Sequence, residues 1–285
     1  MNNFLEWIEK QKIPVKRPIH REGKTYYATR WMSPEDAAKY GAKPKRTVLL
    51  AGINQDSRKK IINDISSVLR GKLNTDALIH IFAPKSKNYQ TEITDSIVMG
   101  DRLRLSIDLL DNAGRKIGIM KRTFWVSDGK TNVLHDPIKV TIENKDLIPL
   151  IQAKTEEEYL RYGVSEIFVK ARNAGSYKYA WQGYDFDSEK DRFNVAKAFR
   201  KYIKSRTDLT FNKKRALMYG IQNWENSIPT LVHSWDFANW DPIKGEGIGK
   251  KILEGIEWSG VKVLDPKFPG FNIGQKYFKA KIGEE

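Results

Sequence analysis

The sequence predicts an α+β fold: an antiparallel meander with helices, preceded by an N-terminal arm and followed by a basic, helical and loop-rich C-terminal region. Three observations carry this prediction. Between residues 92 and 143, strand-like runs are separated by 111-DNAG-114 and Asp128-Gly129, which is the turn chemistry of neighbouring antiparallel strands. Apolar residues at helical spacing flank those runs, first at Ile61, Ile62, Ile65, Val68 and Leu69 and later over 146–162. Beyond Ser188, lysines and arginines alternate with apolar residues at the same helical period.

The arm covers residues 1–46. Phe4, Leu5, Trp7 and Ile8 give a short helix an apolar side, and Pro14, Pro18 and 16-KRPIHREGK-24 interrupt regular structure. Residues 26–31 predict a strand. Ser33 followed by Pro34 predicts a helix start, ended near Gly41 by the basic linker Lys43–Arg46.

The central domain, 47–187, begins with the apolar, β-branched run 47-TVLLAGI-53, a predicted strand. Asp56 or Ser57 caps the next helix and Gly71 closes it. Strands are then expected at 77–83, 92–100, 102–111, 115–127 and 130–143. A helix starts near Asp146, since Pro149 is tolerated only in a first turn, and Gly163 ends it. A strand follows at 164–170. The aromatic run 173-NAGSYKYAWQGYDFD-187 predicts a turn and short helix feeding an edge strand, with Trp181 and Phe186 buried.

In the C-terminal region, 188–285, Phe193, Ala196, Phe199, Tyr202 and Ile203 form one expected buried side of a helix. The residues after Tyr219 are rich in Trp, Gly and Pro and predict short elements.

Charge is the strongest global property. Fifty Lys and Arg against 35 Asp and Glu give a net charge of +15, and the pI is near 9.6. Residues 190–215 hold ten Lys or Arg and two Asp, a local +8. Such an excess attracts polyanions. Forty per cent of residues are apolar, which fits a globular chain with a core. No apolar run reaches the roughly 20 residues of a membrane span. The absence of cysteine excludes disulfides and Cys-based metal sites, and suits a cytoplasmic setting or the interior of a virus particle.

Rings and cations interleave at Tyr177-Lys178-Tyr179, Phe199-Arg200-Lys201-Tyr202 and 211-FNKKRALMY-219. Rings stack on bases and cations neutralise phosphates. The alternative is that the rings pack in the core and only the cations face water. The candidate nucleic-acid-binding residues are Lys197, Arg200, Lys201, Lys204, Arg206, Lys213, Lys214 and Arg215. A second motif, 244-KGEGIGKKILEG-255, opens a helix on Gly245, Gly247 and Gly249, where backbone N–H groups can cradle a phosphate. It lacks the spacing and the Ser or Thr of a Walker loop. His20, His80, His135 and His233 are scattered without ligand spacing, so no metal site is expected. The acidic run 156-EEE-158 reads as a solvated helix face, Asp185 with Asp187 as a carboxylate pair, and Asp187 or Ser188 as a helix cap.

The segment 77–187 resembles the fold order of GNAT-superfamily acetyltransferases: a meander, a helix, a strand, and a second helix carrying 179-YAWQGY-184 in place of the family's Tyr-x-x-x-Gly-Phe. Asn173 stands where the family often has asparagine. The resemblance implies that Tyr179 acts as general acid toward a departing coenzyme A thiolate. It also implies a cleft near Ile142 and Val164 for the coenzyme. The chain departs from the family at 143-ENKDLIPLI-151, which has a proline and no glycine where the glycine-rich coenzyme loop belongs.

The functional expectation is a polyanion- or nucleic-acid-binding protein on a degenerate GNAT-like fold, without cofactor and a candidate component of a larger, phage-like assembly. One alternative is an N-acyltransferase using acetyl-CoA; another is a structural assembly subunit without nucleic-acid contact.

Overall fold

The expected meander is present. Strands β3 (Gln90–Met99), β4 (Arg102–Leu110), β5 (Lys116–Ser127) and β6 (Lys130–His135) pair antiparallel in chain order. The computed structural model describes residues 13–21, 24–32, 55–82, 88–226, 232–241 and 245–282. It divides the chain into two units, Met1–Val48 and Leu49–Glu285. In the first unit, β1 (Ile13–Arg21) and β2 (Lys24–Met32) form an antiparallel hairpin in the register Ile13↔Met32 to Arg21↔Lys24. The expected strand at 26–31 is therefore there, but residues 16–21 of the run expected to break regularity lie in a strand. Pro14 and Pro18 are accommodated because each strand of a two-stranded hairpin has an unpaired edge. The expected helices at 3–11 and 34–41 and the strand at 47–53 lie outside the described residues.

In the second unit, alternation on β4 buries Leu103, Leu105, Ile107 and Leu109 completely, and Met120, Phe124 and Val133 continue that face. Helices α1 (Gln55–Leu69) and α2 (Thr75–Phe82) belong to the same core, through Ile61, Ile65 and Leu69 and through Leu78, Ile81 and Phe82. The run at 77–83, expected as a strand, folds as α2 instead. The Asn74 side chain accepts the Ala77 N–H at 2.8 Å, and Ala77, Leu78, Ile81 and Phe82 form a helical stripe. An apolar run this short fits either period, and the cap decides it.

The run expected as one strand at 130–143 is two. After β6, Asp136-Pro137-Ile138 intervene, then β7 (Lys139–Val140) pairs with Gly118–Ile119 of β5 and a 3-10 turn spans Ile142–Asn144. Helix α3 (Leu147–Arg161) and strand β8 (Val164–Ala171) follow as expected. Strand β8 runs parallel to β6. Next come α4 (Ala174–Trp181) and the two-residue edge strand β9 (Asp185–Phe186), the turn, short helix and edge strand read from the aromatic run. Trp181 and Phe186 are half-buried rather than buried.

Helices α5 (Glu189–Ser205), α6 (Phe211–Asn226), α7 (Ser234–Asn239) and α8 (Ile248–Glu254) lead to β10 (Trp258–Val263) and α9 (Pro269–Ile282). Strand β10 inserts between β8 and β9, giving the order β3-β4-β5-β6-β8-β10-β9. Residues after 188 thus complete the central sheet and share its core.

Candidate functional site

The first candidate site lies where β6 and β8 part. His135, the last residue of β6, pairs with Arg122 of β5 on one side and Val169 of β8 on the other. The Asp136 N–H then donates to the Lys121 carbonyl at 3.2 Å, and the next strand, β7, pairs with β5. Strand β8 instead runs on through Lys170 and Ala171 beside β10. The opening therefore begins at His135 and Val169. The expected position near Ile142 and Val164 is corrected: Val164 pairs with Thr131 at the closed end.

Side chains from several elements meet at the parting. Arg122, Tyr159 and Tyr184 have no solvent exposure and His135 has 2%. The Tyr159 hydroxyl lies 3.2 Å from His135 Nε2. Arg122 Nη1 donates to the carbonyls of Lys121 at 2.7 Å and Asp136 at 2.9 Å, while its Nε and Nη2 have no acceptor within hydrogen-bond geometry. Asp136 turns its carboxylate to Arg104, at 2.7 Å. Tyr179 packs edge-on against Tyr184 with ring centroids 5.2 Å apart. Burial raises the Tyr179 pKa; the Arg122 charge opposes that shift and Asp136 adds to it. Burial likewise raises the phenols of Tyr159 and Tyr184, against the pull of the Arg122 cation. Burial also holds His135 well below its ordinary value, with help from Arg122 and Lys262. At neutral pH the site thus holds protonated phenols, a neutral imidazole and a guanidinium. A protonated phenol beside a cation is chemically able to donate a proton to a developing anion.

Beneath this cluster, Lys262 Nζ donates to Glu156 Oε2 at 2.5 Å, with side chains 0% and 1% exposed. The Tyr184 hydroxyl is 3.4 Å from Glu156 Oε1. Glu156, expected on a solvated face, is buried, while Glu157 is exposed and the half-buried Glu158 pairs with Arg161.

The glycines named for phosphate binding sit elsewhere and are already engaged. The N–H groups of Gly245 and Gly247 donate to the two oxygens of the Asp241 carboxylate at 3.0 and 3.1 Å. The Gly249 N–H donates to the Trp240 carbonyl at 2.9 Å. A Cβ on Gly249 would lie 2.2 Å from the Phe237 carbonyl oxygen, so this glycine permits a close helix approach. At the start of α3, where the GNAT resemblance places the coenzyme loop, Asp146 is the N-cap, Glu143 precedes it and Pro149 lacks an N–H. Two carboxylates at a helix N-terminus oppose an incoming phosphate.

The second candidate site is the outer face of the basic helices. Phe193, Lys197, Arg200 and Lys204 share one stripe of α5; Phe211, Arg215, Tyr219 and Gln222 share one stripe of α6. A groove of about 820 Å³ is lined by Arg200, Asn212, Arg215, Met218, Tyr219 and Gln222, among others. Phe193, Phe211 and Tyr219 are 53%, 77% and 67% exposed. Phe193, expected inside α5, therefore lies outside it. Ala196, Phe199 and Ile203 are buried as expected, Tyr202 is half-buried, and Arg192 and Val195 complete the buried stripe in place of Phe193. Lys197, Lys201, Lys204, Lys213 and Arg215 are exposed, and Lys214 is half-exposed with Nζ 3.3 Å from the Lys204 carbonyl. Arg206 is engaged within the fold: it pairs with Asp208 at 2.5 Å and Glu246 at 2.6 Å, and its cation pulls the Asp208 carboxyl down to about 2.

The remaining candidates have structural contacts. His80 stacks on Tyr162 with centroids 5.8 Å apart. His233 Nδ1 meets Asp185 Oδ2 at 2.5 Å, and Ser188, one of the two expected caps, caps α5. Among the described residues, no group of three or more His, Asp or Glu is placed to hold a metal. None of the described helices is long and apolar enough to cross a membrane.

The meander, the connecting helix, a parallel strand that parts from β6, and the helix bearing Tyr179 occur in the order the resemblance implies. The fold is GNAT-like. No protein-family profile matches the chain, and no curated protein matches it. Solved structures similar to it include a GCN5-related glucosamine N-acetyltransferase region of a fungal multidomain GH3 β-N-acetylglucosaminidase. That match has 13% identity and a TM-score of 0.21, and covers 41% of this chain and 12% of that one. The aminoglycoside 6'-N-acetyltransferase from Enterococcus faecium is 11% identical with a TM-score of 0.25, covering 76% of this chain and 96% of that one. The chain thus spans a small part of the first structure and most of the second.

Sequence reasoning placed Tyr179 but missed Arg122, His135, Tyr159 and Lys262. For Arg122 a signal existed: it occupies an inward position of β5, between Met120 and Phe124.

Proposed function

We propose that the protein binds a single-stranded nucleic acid along the α5–α6 face of its GNAT-like fold. The observation supporting this reading is the combination of three exposed rings on α5 and α6 with a groove lined by one of them, Tyr219, and by Arg200 and Arg215. A ring exposed to water by more than half has no packing role there, and stacking on a base removes it from solvent. Phe211 and Tyr219 are eight residues apart, about 12 Å along a helix, a separation that lets one strand stack on both. Lys197, Lys204 and Arg215 border the same face and would meet phosphates. The test is fluorescence anisotropy of a labelled oligonucleotide of about 20 residues at low salt, with single- and double-stranded forms compared. Saturable binding that prefers the single strand and weakens steeply with salt is expected; absence of binding at low salt would reject the reading.

A second reading, acyl transfer from acetyl-CoA, is favoured by the placement of Tyr179 beside Arg122 at the parted strands. In it Tyr179 would protonate a departing thiolate. The α3 N-terminus, with Glu143, Asp146 and Pro149, opposes pyrophosphate binding and ranks this reading second. Thermal stabilisation by acetyl-CoA that is retained in Tyr179→Phe while thiol release is lost would support it; no thermal shift at about millimolar ligand would remove it.

A further inference from the structure

Arg122 is a buried cation without a carboxylate partner of its own. Its Nη1 is taken up by two backbone carbonyls. The groups around it are the imidazole of His135 on β6 and the phenols of Tyr159, Tyr179 and Tyr184, held on or just after α3 and α4. Two carboxylates near the cluster are committed elsewhere, Asp136 to Arg104 and Glu156 to Lys262. Nε and Nη2 remain, both buried and both without an acceptor at full hydrogen-bond geometry, with the Tyr159 hydroxyl near enough to interact with the guanidinium. These two nitrogens form the side edge of the guanidinium, a fork whose spacing matches the two oxygens of a carboxylate. A buried guanidinium is stable only with its donors satisfied. Alongside it, His135 Nδ1 is likewise buried without a partner. Two independent side chains, one each from β5 and β6, therefore hold unmet polar atoms at the rung where β6 leaves β8.

We propose that Arg122 and His135 form an internal binding site for a carboxylate group, reached through the parting of β6 and β8, with Arg122 gripping both oxygens through Nε and Nη2. The site is separate from the α5–α6 face and does not depend on nucleic-acid binding. Its ligand class is a small organic acid or a carboxylate-bearing substrate. A phosphate is a poorer fit, because its greater charge and further oxygens would meet a single two-donor fork, the nearby Lys262 being already paired with Glu156.

The test uses the full chain in two measurements. In the first, thermal stability is followed against sodium acetate, propionate, succinate and phosphate, with sodium chloride at matched ionic strength as the reference. A saturable rise with at least one carboxylate, absent with chloride, is expected. Arg122→Lys keeps the charge but removes the fork, and should weaken that carboxylate about tenfold or more. In the second, the Nε–H resonance of Arg122 is followed by nitrogen-edited NMR in the unaltered protein, so the result holds even if the variant fails to fold. The resonance should move saturably with at least one of the same carboxylates. A resonance unmoved by all of them, or identical stabilisation by chloride and all carboxylates, overturns the proposal. Two results separate the ligand sources: response to acetate points to a small acid, and response only to larger acids points to a substrate carboxylate.

Discussion

Lys262 of β10 and Glu156 of α3 form an ion pair sealed from solvent although 106 residues separate them in sequence. Burial raises the Glu156 pKa, and the Lys262 charge and the Tyr184 hydroxyl act against that rise. The pair joins the C-terminal strand to the helix between β6 and β8. Removing one partner strands a charge in the core. Lys262→Met or Glu156→Leu alone should cost about 3–5 kcal/mol, whereas the double variant should recover most of that loss. Urea unfolding of the three variants measures it. Additive losses in the double variant would show that the two side chains do not act as a pair.

His135 predicts an acid-labile fold. Its pKa is lower in the fold than in the unfolded chain, so the unfolded chain binds the extra proton. The contribution is fully present above the unfolded value of about 6.5 and declines as pH falls below it. The slope approaches about 1.4 kcal/mol per pH unit for this one group. His135→Gln should flatten the stability profile between about pH 6.5 and 5. An unchanged profile would mean that His135 does not stay neutral in the fold.

Gly183 marks a backbone crossing between the end of α4 and the start of α9. It adopts φ +81°, and a Cβ there would lie 1.7 Å from the Gly270 carbonyl oxygen. Gly183→Ala should therefore destabilise by about 3 kcal/mol or more. At Gly129, φ is +72° and a Cβ would meet no atom within 4 Å, so Gly129→Ala should cost only about 1–2 kcal/mol. Equal losses at the two sites, by thermal or urea unfolding, would contradict the close approach.

The exposed rings predict a divided phenotype. Phe211→Ala and Tyr219→Ala remove stacking surface that the fold does not use, so stability should stay within about 0.5 kcal/mol while oligonucleotide affinity falls by about 1–3 kcal/mol per ring. A loss of stability with unchanged binding would make the rings structural.

Much of the sheet was legible because its signals are local. Alternation in β4, the Asp-Gly turn before β6 and Gly163 between α3 and β8 each act within a few residues. The failures have the opposite character. Strand β10 is short and carries Gly260 in its middle, and only its neighbours β8 and β9 make it a strand. Glu156 reads as one of three solvated carboxylates until Lys262 arrives from a distant strand. Phe193 fits the apolar stripe of α5 by composition, yet the helix turns Arg192 inward and leaves the ring in water. For the candidate sites, Tyr179 and the cations of α5 and α6 were readable as residue types. The partners at the parting, from β5, β6 and α3, come together only through the tertiary fold.

The most direct test of nucleic-acid binding on the α5–α6 face is the salt dependence of single-strand affinity in the unaltered chain and in Lys197→Gln/Arg215→Gln. Each phosphate contact contributes about −0.7 to the slope of log K against log salt. Loss of these two exposed cations should make the slope shallower by about 1.4 while the protein remains folded. The same slope and affinity in both proteins would place any nucleic-acid binding elsewhere on the molecule.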